Sequence, residues 1–150
     1  MRTLVRVAVA GVLLLFAIAL FLPKLQGARG AAQLSRCNNN LKQIGIALNA
    51  YHAANRCFPP AVVTGEQGQP LLSWRVLLLP HLGEDALYQQ FHLDEPWNSL
   101  HNAPLGARTP AVFVCPFDTD IKPGMTSYVA VTGPETMFTP DGVVRQSDIR

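Results

Sequence analysis

Residues 34–51 read L-S-R-C-N-N-N-L-K-Q-I-G-I-A-L-N-A-Y. Apolar side chains recur at Leu34, Cys37, Leu41, Ile44, Leu48 and Tyr51, in steps of 3, 4, 3, 4 and 3. That spacing keeps all six on one stripe of an α-helix. Arg36, Asn39, Asn40, Lys42, Gln43 and Asn49 fall on the other face, so the helix has one side to bury and one to wet. Three consecutive asparagines at 38–40 are poor helix formers, so packing of the stripe must carry the segment. Leu34, Leu41, Ile44 and Leu48 are therefore the expected docking stripe for whatever follows. Pro59 and Pro60 stop the helix and push Phe58 towards extended backbone.

Towards the amino terminus the pattern changes. Residues 7–22, V-A-V-A-G-V-L-L-L-F-A-I-A-L-F-L, contain no charge or strong polar group. At ~1.5 Å per residue, residues 3–22 reach ~30 Å, the thickness of a bilayer's hydrocarbon core. This predicts a membrane-spanning first half, with Arg6 snorkelling to the headgroups and a kink at Pro23. A cleavable signal built on Arg2, Arg6 and the apolar run is the alternative. The helical pattern continues straight through the small residues at Ala28, Gly30 and Ala32, which favours a retained anchor. The expected division is residues 1–23 as transmembrane anchor, 24–57 as amphipathic stem helix and 58–150 as a small α+β head.

Towards the carboxyl terminus, eleven of the twelve prolines lie at or after residue 59, which forbids a second long helix. Residues 71–79 and 85–91 read as short helices flanking Pro80, with Trp74, Leu78, Leu82, Leu87 and Phe91 as core. Residues 110–115 and 127–132 read as strands, Pro123-Gly124 as a turn between them, and residues 142–145 as a third strand.

Charge is divided unevenly. Residues 1–56 hold seven basic residues and no acid, whereas residues 57–150 hold all ten acids against five basic residues. An acidic head argues against nucleic-acid binding, which needs a cationic face to displace phosphate counterions. The basic stem suits membrane lipid headgroups as a partner, or simply solvates a helix.

Few residues invite chemistry. His52, His81, His92 and His101 and the three cysteines lack the close spacing of zinc sites, so no metal is expected. Asp94 and Glu95 beside Trp97 read as a solvated turn, since adjacent carboxylates point apart while glycosidase pairs face each other across ~5–9 Å. Asp118 and Asp120 read as an Asx-type turn rather than a calcium loop. There is no nucleophile elbow and no phosphate-binding glycine loop, so neither catalytic residues nor a cofactor are expected. If residues 37–56 are one helix, Cys37 and Cys57 lie ~28 Å apart, beyond disulfide reach. Only Cys115 can then pair with either. A Cys37–Cys115 bridge is the favoured pairing, because both belong where head meets stem; three reduced, buried thiols are the alternative.

Taken in order, Leu22-Pro23, Gln26, Ala28-Arg29, Ala31-Ala32, Cys37, N-N-L-K-Q-I-G at 39–45, Ala47-Leu48, Tyr51-His52 and F-P-P at 58–60 resemble one bacterial family. S-W-R-V-L-L-L-P at 73–80, F-H-L-D-E-P-W at 91–97, Cys115-Pro116 and Ser127-Tyr128 extend the resemblance over nearly the whole chain. The family is the pilin-like, envelope-associated domain of unknown function 1559. The resemblance implies a type IV pilin-like α+β fold, a long amino-terminal helix packed on a small antiparallel sheet. It implies a single-pass protein of the inner (cytoplasmic) membrane with the head outside the cytoplasm and no established reaction. Arg6 stands where such families carry a glutamate, which replaces attraction between neighbouring subunits by repulsion in a low-dielectric medium. Met1-Arg2-Thr3-Leu4 replaces the processing site. Non-polymerising behaviour is the expectation. The resemblance also implies further strands beyond residue 150, and hence an unfilled sheet edge here.

The reading reached is a membrane-anchored envelope protein with a structural or interaction role, no catalysis, and envelope or secretion-system proteins as partners. Its rivals are a solute- or glycan-binding module using Trp74, Trp97 and the acidic loop, an envelope enzyme using His92, Asp94 and Glu95, and a truncated paralogue without independent function.

Overall fold

The computed structural model describes residues 2–133, 136–139 and 144–148; within the first helix the side chains described are those of residues 2, 6, 9–13, 16 and 29–55. Helix α1 runs from Arg2 to Asn55 as one continuous element, so the expected kink at Pro23 does not divide it. It ends where Arg56 turns left-handed at φ 64° and Asn55 Nδ2 donates to the Tyr51 carbonyl at 2.9 Å. Pro59 and Pro60 then forbid any resumption.

The head packs against residues 33–51 of α1 through a face turned away from the centre of the apolar stripe. Cys37, Ile44, Ala47 and Leu48 are buried, while Leu34 and Leu41 stay 55% and 51% exposed. An α-helix advances ~100° per residue, which puts Leu34 and Leu41 some 40–60° to one side of Cys37. Gln33, Asn40, Ala47 and Tyr51 lie to the other side, and these are the residues that meet the head. Gln33 Nε2 donates to the Pro116 carbonyl at 3.3 Å, and Asn40 Nδ2 donates to the Val114 carbonyl at 2.9 Å. Tyr51 meets His81 edge-on. Asn40, expected on the wet face, is thus a docking residue.

Beyond α1, strands β1 (Val62–Thr64) and β2 (Pro70–Ser73) form an antiparallel hairpin, with Val62 opposite Ser73 and Thr64 opposite Pro70. Gly68, at φ 78°, makes the reversal, and its amide donates to the Gly65 carbonyl. Ser73 Oγ accepts from the Arg75 amide at 3.2 Å and so caps helix α2 (Trp74–Leu78). A 3₁₀ turn over Leu79–Leu82 ends at Gly83, φ 78°, and leads to helix α3 (Asp85–Tyr88). Helix α4 (Asn102–Gly106) and a 3₁₀ turn at Ala111–Phe113 follow. The core joins Ile44, Ala47 and Leu48 of α1 to Phe58, Leu71, Leu72, Trp74, Leu78, Leu79, Leu87, Phe91, Phe113 and Phe138. Trp74 lies edge-on to Phe113, at 5.9 Å between ring centres, and tilted against Phe138, at 5.3 Å. Rings in such offset arrangements add to what burial alone contributes.

The fold class read from the sequence is corrected in two respects. First, the described head has a two-stranded sheet built from residues 62–73, not the pilin-like sheet expected from residues 110–115 and 127–132. In the 110–115 segment the Phe113 and Val114 amides are spent on the carbonyls of Pro110 and Ala111. Where this segment meets the next, Ser127 donates its amide to Phe113, but the Cys115 amide goes to the Ser127 hydroxyl at 2.9 Å instead of a carbonyl. A side-chain hydroxyl in the place of a main-chain acceptor stops the ladder. Residues 71–73, expected as helix, join the hairpin instead. Of the expected strand at 142–145, residues 142–143 lie outside the described residues, and the Val144 carbonyl accepts from the Phe58 amide. Second, among the described residues no helix is long and apolar enough to cross a membrane, which overturns the expected membrane-spanning half. A span needs ~20 consecutive apolar residues. The uninterrupted apolar run, residues 7–22, is sixteen residues long, with Arg6 before it and Pro23-Lys24 after it, which falls short of that length.

Candidate ligand-binding cleft

In the head, the hairpin, the start of α2 and the end of α4 enclose a cleft of about 380 Å³. Leu71, Leu72, Leu79, Leu87, Phe91 and Phe113 line its depth, and Val62, Trp97, Leu105, Arg108 and Thr126 line it further. The volume is that of a small-molecule site. Among its described lining residues there is no carboxylate, imidazole or thiol. The charged groups are two guanidiniums, those of Arg75 and Arg108.

Trp97 reaches the cleft because a single buried polar residue holds its loop. Asn102, fully buried, accepts the His92 amide on Oδ1 at 3.0 Å. Its Nδ2 donates to the carbonyls of His92 (2.8 Å), Glu95 (3.1 Å) and Pro96 (3.3 Å). The Trp97 amide then donates to the Leu71 carbonyl at 2.7 Å, which pins the loop to β2. The indole itself stays 63% exposed. Nothing near Asn102 in sequence announces this role, because its partners lie six to ten residues away.

Arg75 sits half-buried at the start of α2, with its guanidinium carbon 4.6 Å from the centre of the Trp74 ring. Its Nη2 donates to the Tyr128 carbonyl, while Nε is buried and has no hydrogen-bond partner among the described residues. Burial pulls this guanidinium below its ordinary value, although arginine stays protonated in proteins. Arg108 Nη1 donates to Gln90 Oε1 at 2.8 Å. Among the described residues the ion pair present is His92 Nδ1 with Glu95 Oε1, at 2.9 Å, so neither arginine is matched by a carboxylate.

The structure disperses most of the other residues singled out in the sequence. Trp74 is core and Trp97 is cleft, so the two tryptophans do not share a wall. His92 and His101 stack face to face, 3.5 Å between ring centres, and His101 Nε2 lies 2.7 Å from the Gln90 carbonyl oxygen. Hydrogen bonds from His92 and Ser99 hold the exposed Glu95 carboxyl below its usual range. Among the described residues no three His, Cys, Asp or Glu side chains are placed to hold a metal ion. Asp118 accepts from the Ser127 hydroxyl at 3.0 Å and braces a turn. Cys37 and Cys115 form a disulfide, Cα to Cα 5.0 Å, and Cys57 is free. The Tyr128 hydroxyl donates to the Cys37 carbonyl at 3.2 Å beside the bridge. Of the expected docking stripe, Ile44 and Leu48 are buried, while Leu34 and Leu41 stay about half exposed.

The model of a family described as "Protein of unknown function (DUF1559)" matches residues 26–148. No curated protein and no solved structure matches the chain.

Proposed function

Because this chain belongs to the DUF1559 family, whose description assigns no activity, we propose its role from the cleft: the head is a non-catalytic binding module that takes a small, largely apolar ligand. The observation carrying this reading is the cleft lining. Deep leucine and phenylalanine side chains supply apolar area, and the described lining offers the hydroxyls of Ser73, Thr109 and Thr126 but no carboxylate, imidazole or thiol to activate them. Among the described lining residues general acid–base catalysis has no base to perform it, and a hydroxyl without one is a weak nucleophile. The head works outside the cytoplasm, in the cell envelope. The Cys37–Cys115 bridge supports this, since such bridges persist in oxidising compartments.

The test is titration of the full chain with N-phenyl-1-naphthylamine, a neutral apolar dye, compared with Leu105→Asp, which places a charge in the cleft wall. Saturable 1:1 binding that weakens at least tenfold in the variant is expected. Binding that is unsaturable, or unchanged by Leu105→Asp, refutes the reading. A role in docking another envelope protein is the second reading. Leu34 and Leu41 favour it, being two leucines of one helical stripe left exposed beside the head.

A further inference from the structure

We propose that the ligand of this cleft is an amphiphile ending in a single carboxylate, such as a medium-chain aliphatic acid, with Arg75 and Arg108 receiving its charged end. The inference rests on the binding reading above and names the chemistry of its ligand. Three observations carry it. The lining is apolar apart from a few polar groups, so most of the ligand must be hydrocarbon or ring. Among the described residues its charged groups are both cationic, and neither guanidinium has a carboxylate within ion-pair distance. The Arg75 Nε is buried with no acceptor among the described residues, so this side chain has an unused hydrogen-bond donor. A desolvated cation without a counter-charge is costly, and an anionic group beside the guanidinium lowers that cost.

The geometry of guanidinium matches a planar carboxylate, which can accept two parallel N–H bonds. Arg75 is also oriented in advance, because Trp74 lies beneath its plane and the Tyr128 carbonyl holds Nη2. One negative charge suits the cleft better than two. Arg75 is half-buried while Arg108 is exposed, so a phosphate dianion would carry charge into an apolar wall with one desolvated partner to meet it.

Octanoate, 1-octanol, octylammonium and octyl phosphate are to be titrated against the full chain below their aggregation limits, with Trp97 emission and calorimetry as readouts. Octanoate is expected to bind at least tenfold more tightly than 1-octanol, with octylammonium weakest and octyl phosphate weaker than octanoate. The octanoate preference is expected to fall severalfold in Arg108→Gln and to weaken in 0.5 M salt. Arg75→Gln is expected to abolish the preference for octanoate over 1-octanol. Because Arg75 also holds Tyr128, that variant is to be checked by near-ultraviolet circular dichroism, and the ligand series on the unaltered chain decides the matter if it unfolds. Equal affinity for octanoate and 1-octanol overturns the carboxylate inference and leaves the apolar binding reading standing. Tighter octyl phosphate binding overturns the choice of a carboxylate. Failure of the neutral dye as well removes both readings.

Discussion

Reducing the Cys37–Cys115 bridge should cost this protein a large part of its stability, because the bridge closes a long loop. The two cysteines are 78 residues apart in sequence. In the chain-entropy treatment a loop of that length removes about 15 cal/mol/K from the unfolded ensemble, or about 4.5 kcal/mol at 25 °C. Strain and residual structure in the unfolded chain lower such values, so a loss of about 2–5 kcal/mol is expected. Complete unfolding is not expected, because the bonds from Gln33, Asn40 and Tyr128 hold the same junction independently. The assay is urea denaturation of the oxidised chain, the reduced chain and the Cys37→Ala/Cys115→Ala double variant. At a slope of about 2 kcal/mol/M the midpoint should fall by about 1–2.5 M. Cys57→Ala, which touches no bridge, should leave the midpoint in place. A fall of less than about 0.3 M on reduction, at constant slope, would mean that the bridge does not constrain the unfolded chain, and the reasoning fails.

Ile44→Ala and Leu48→Ala should each destabilise by about 2–5 kcal/mol in the same denaturation experiment, whereas Leu34→Ala and Leu41→Ala should stay within about 0.5 kcal/mol; equal effects would contradict the rotated docking face. Asn102→Ala strips four main-chain groups of their partner and should cost about 1–3 kcal/mol or more, with a change in Trp97 emission as the loop loosens; an unchanged spectrum and melting curve would count against it. Glu95 titrates below its ordinary value of 4.5 in the folded chain, so its contribution is present above that pH and is lost as pH falls through the lower folded value. Carbon-detected titration of its carboxyl should give a midpoint below 4.5 that rises in His92→Ala; a midpoint at or above 4.5 contradicts the hydrogen bonds described.

The local features of this protein are legible in its residues because they depend on short-range sterics and periodicity. The 3–4 spacing over 34–51 defines a helix with an apolar stripe, and Phe58-Pro59-Pro60 states where it must stop. Trp74, Leu78, Leu87 and Phe91 carry enough apolar area, near enough together in sequence, to mark the head core. The features that failed were decided by partners distant along the chain. β-Branched content at 110–115 and 127–132 speaks for strands, yet the Ser127 hydroxyl and the 3₁₀ turn consumed the amides a ladder needed. The face of α1 that docks was shifted from Leu41 towards Ala47 by where the bridge, Asn40 and Tyr51 meet the head.

Sequence alone therefore determined the family, the long helix, its stop signal and the acidic, proline-punctuated head. Tertiary structure alone decided the cleft. Its walls come from segments between residues 62 and 126, its arginines are 33 residues apart, and its rim is set by Asn102 acting across a loop. No periodicity records such a site, since a pocket is a property of surfaces that meet only once the chain has closed on itself.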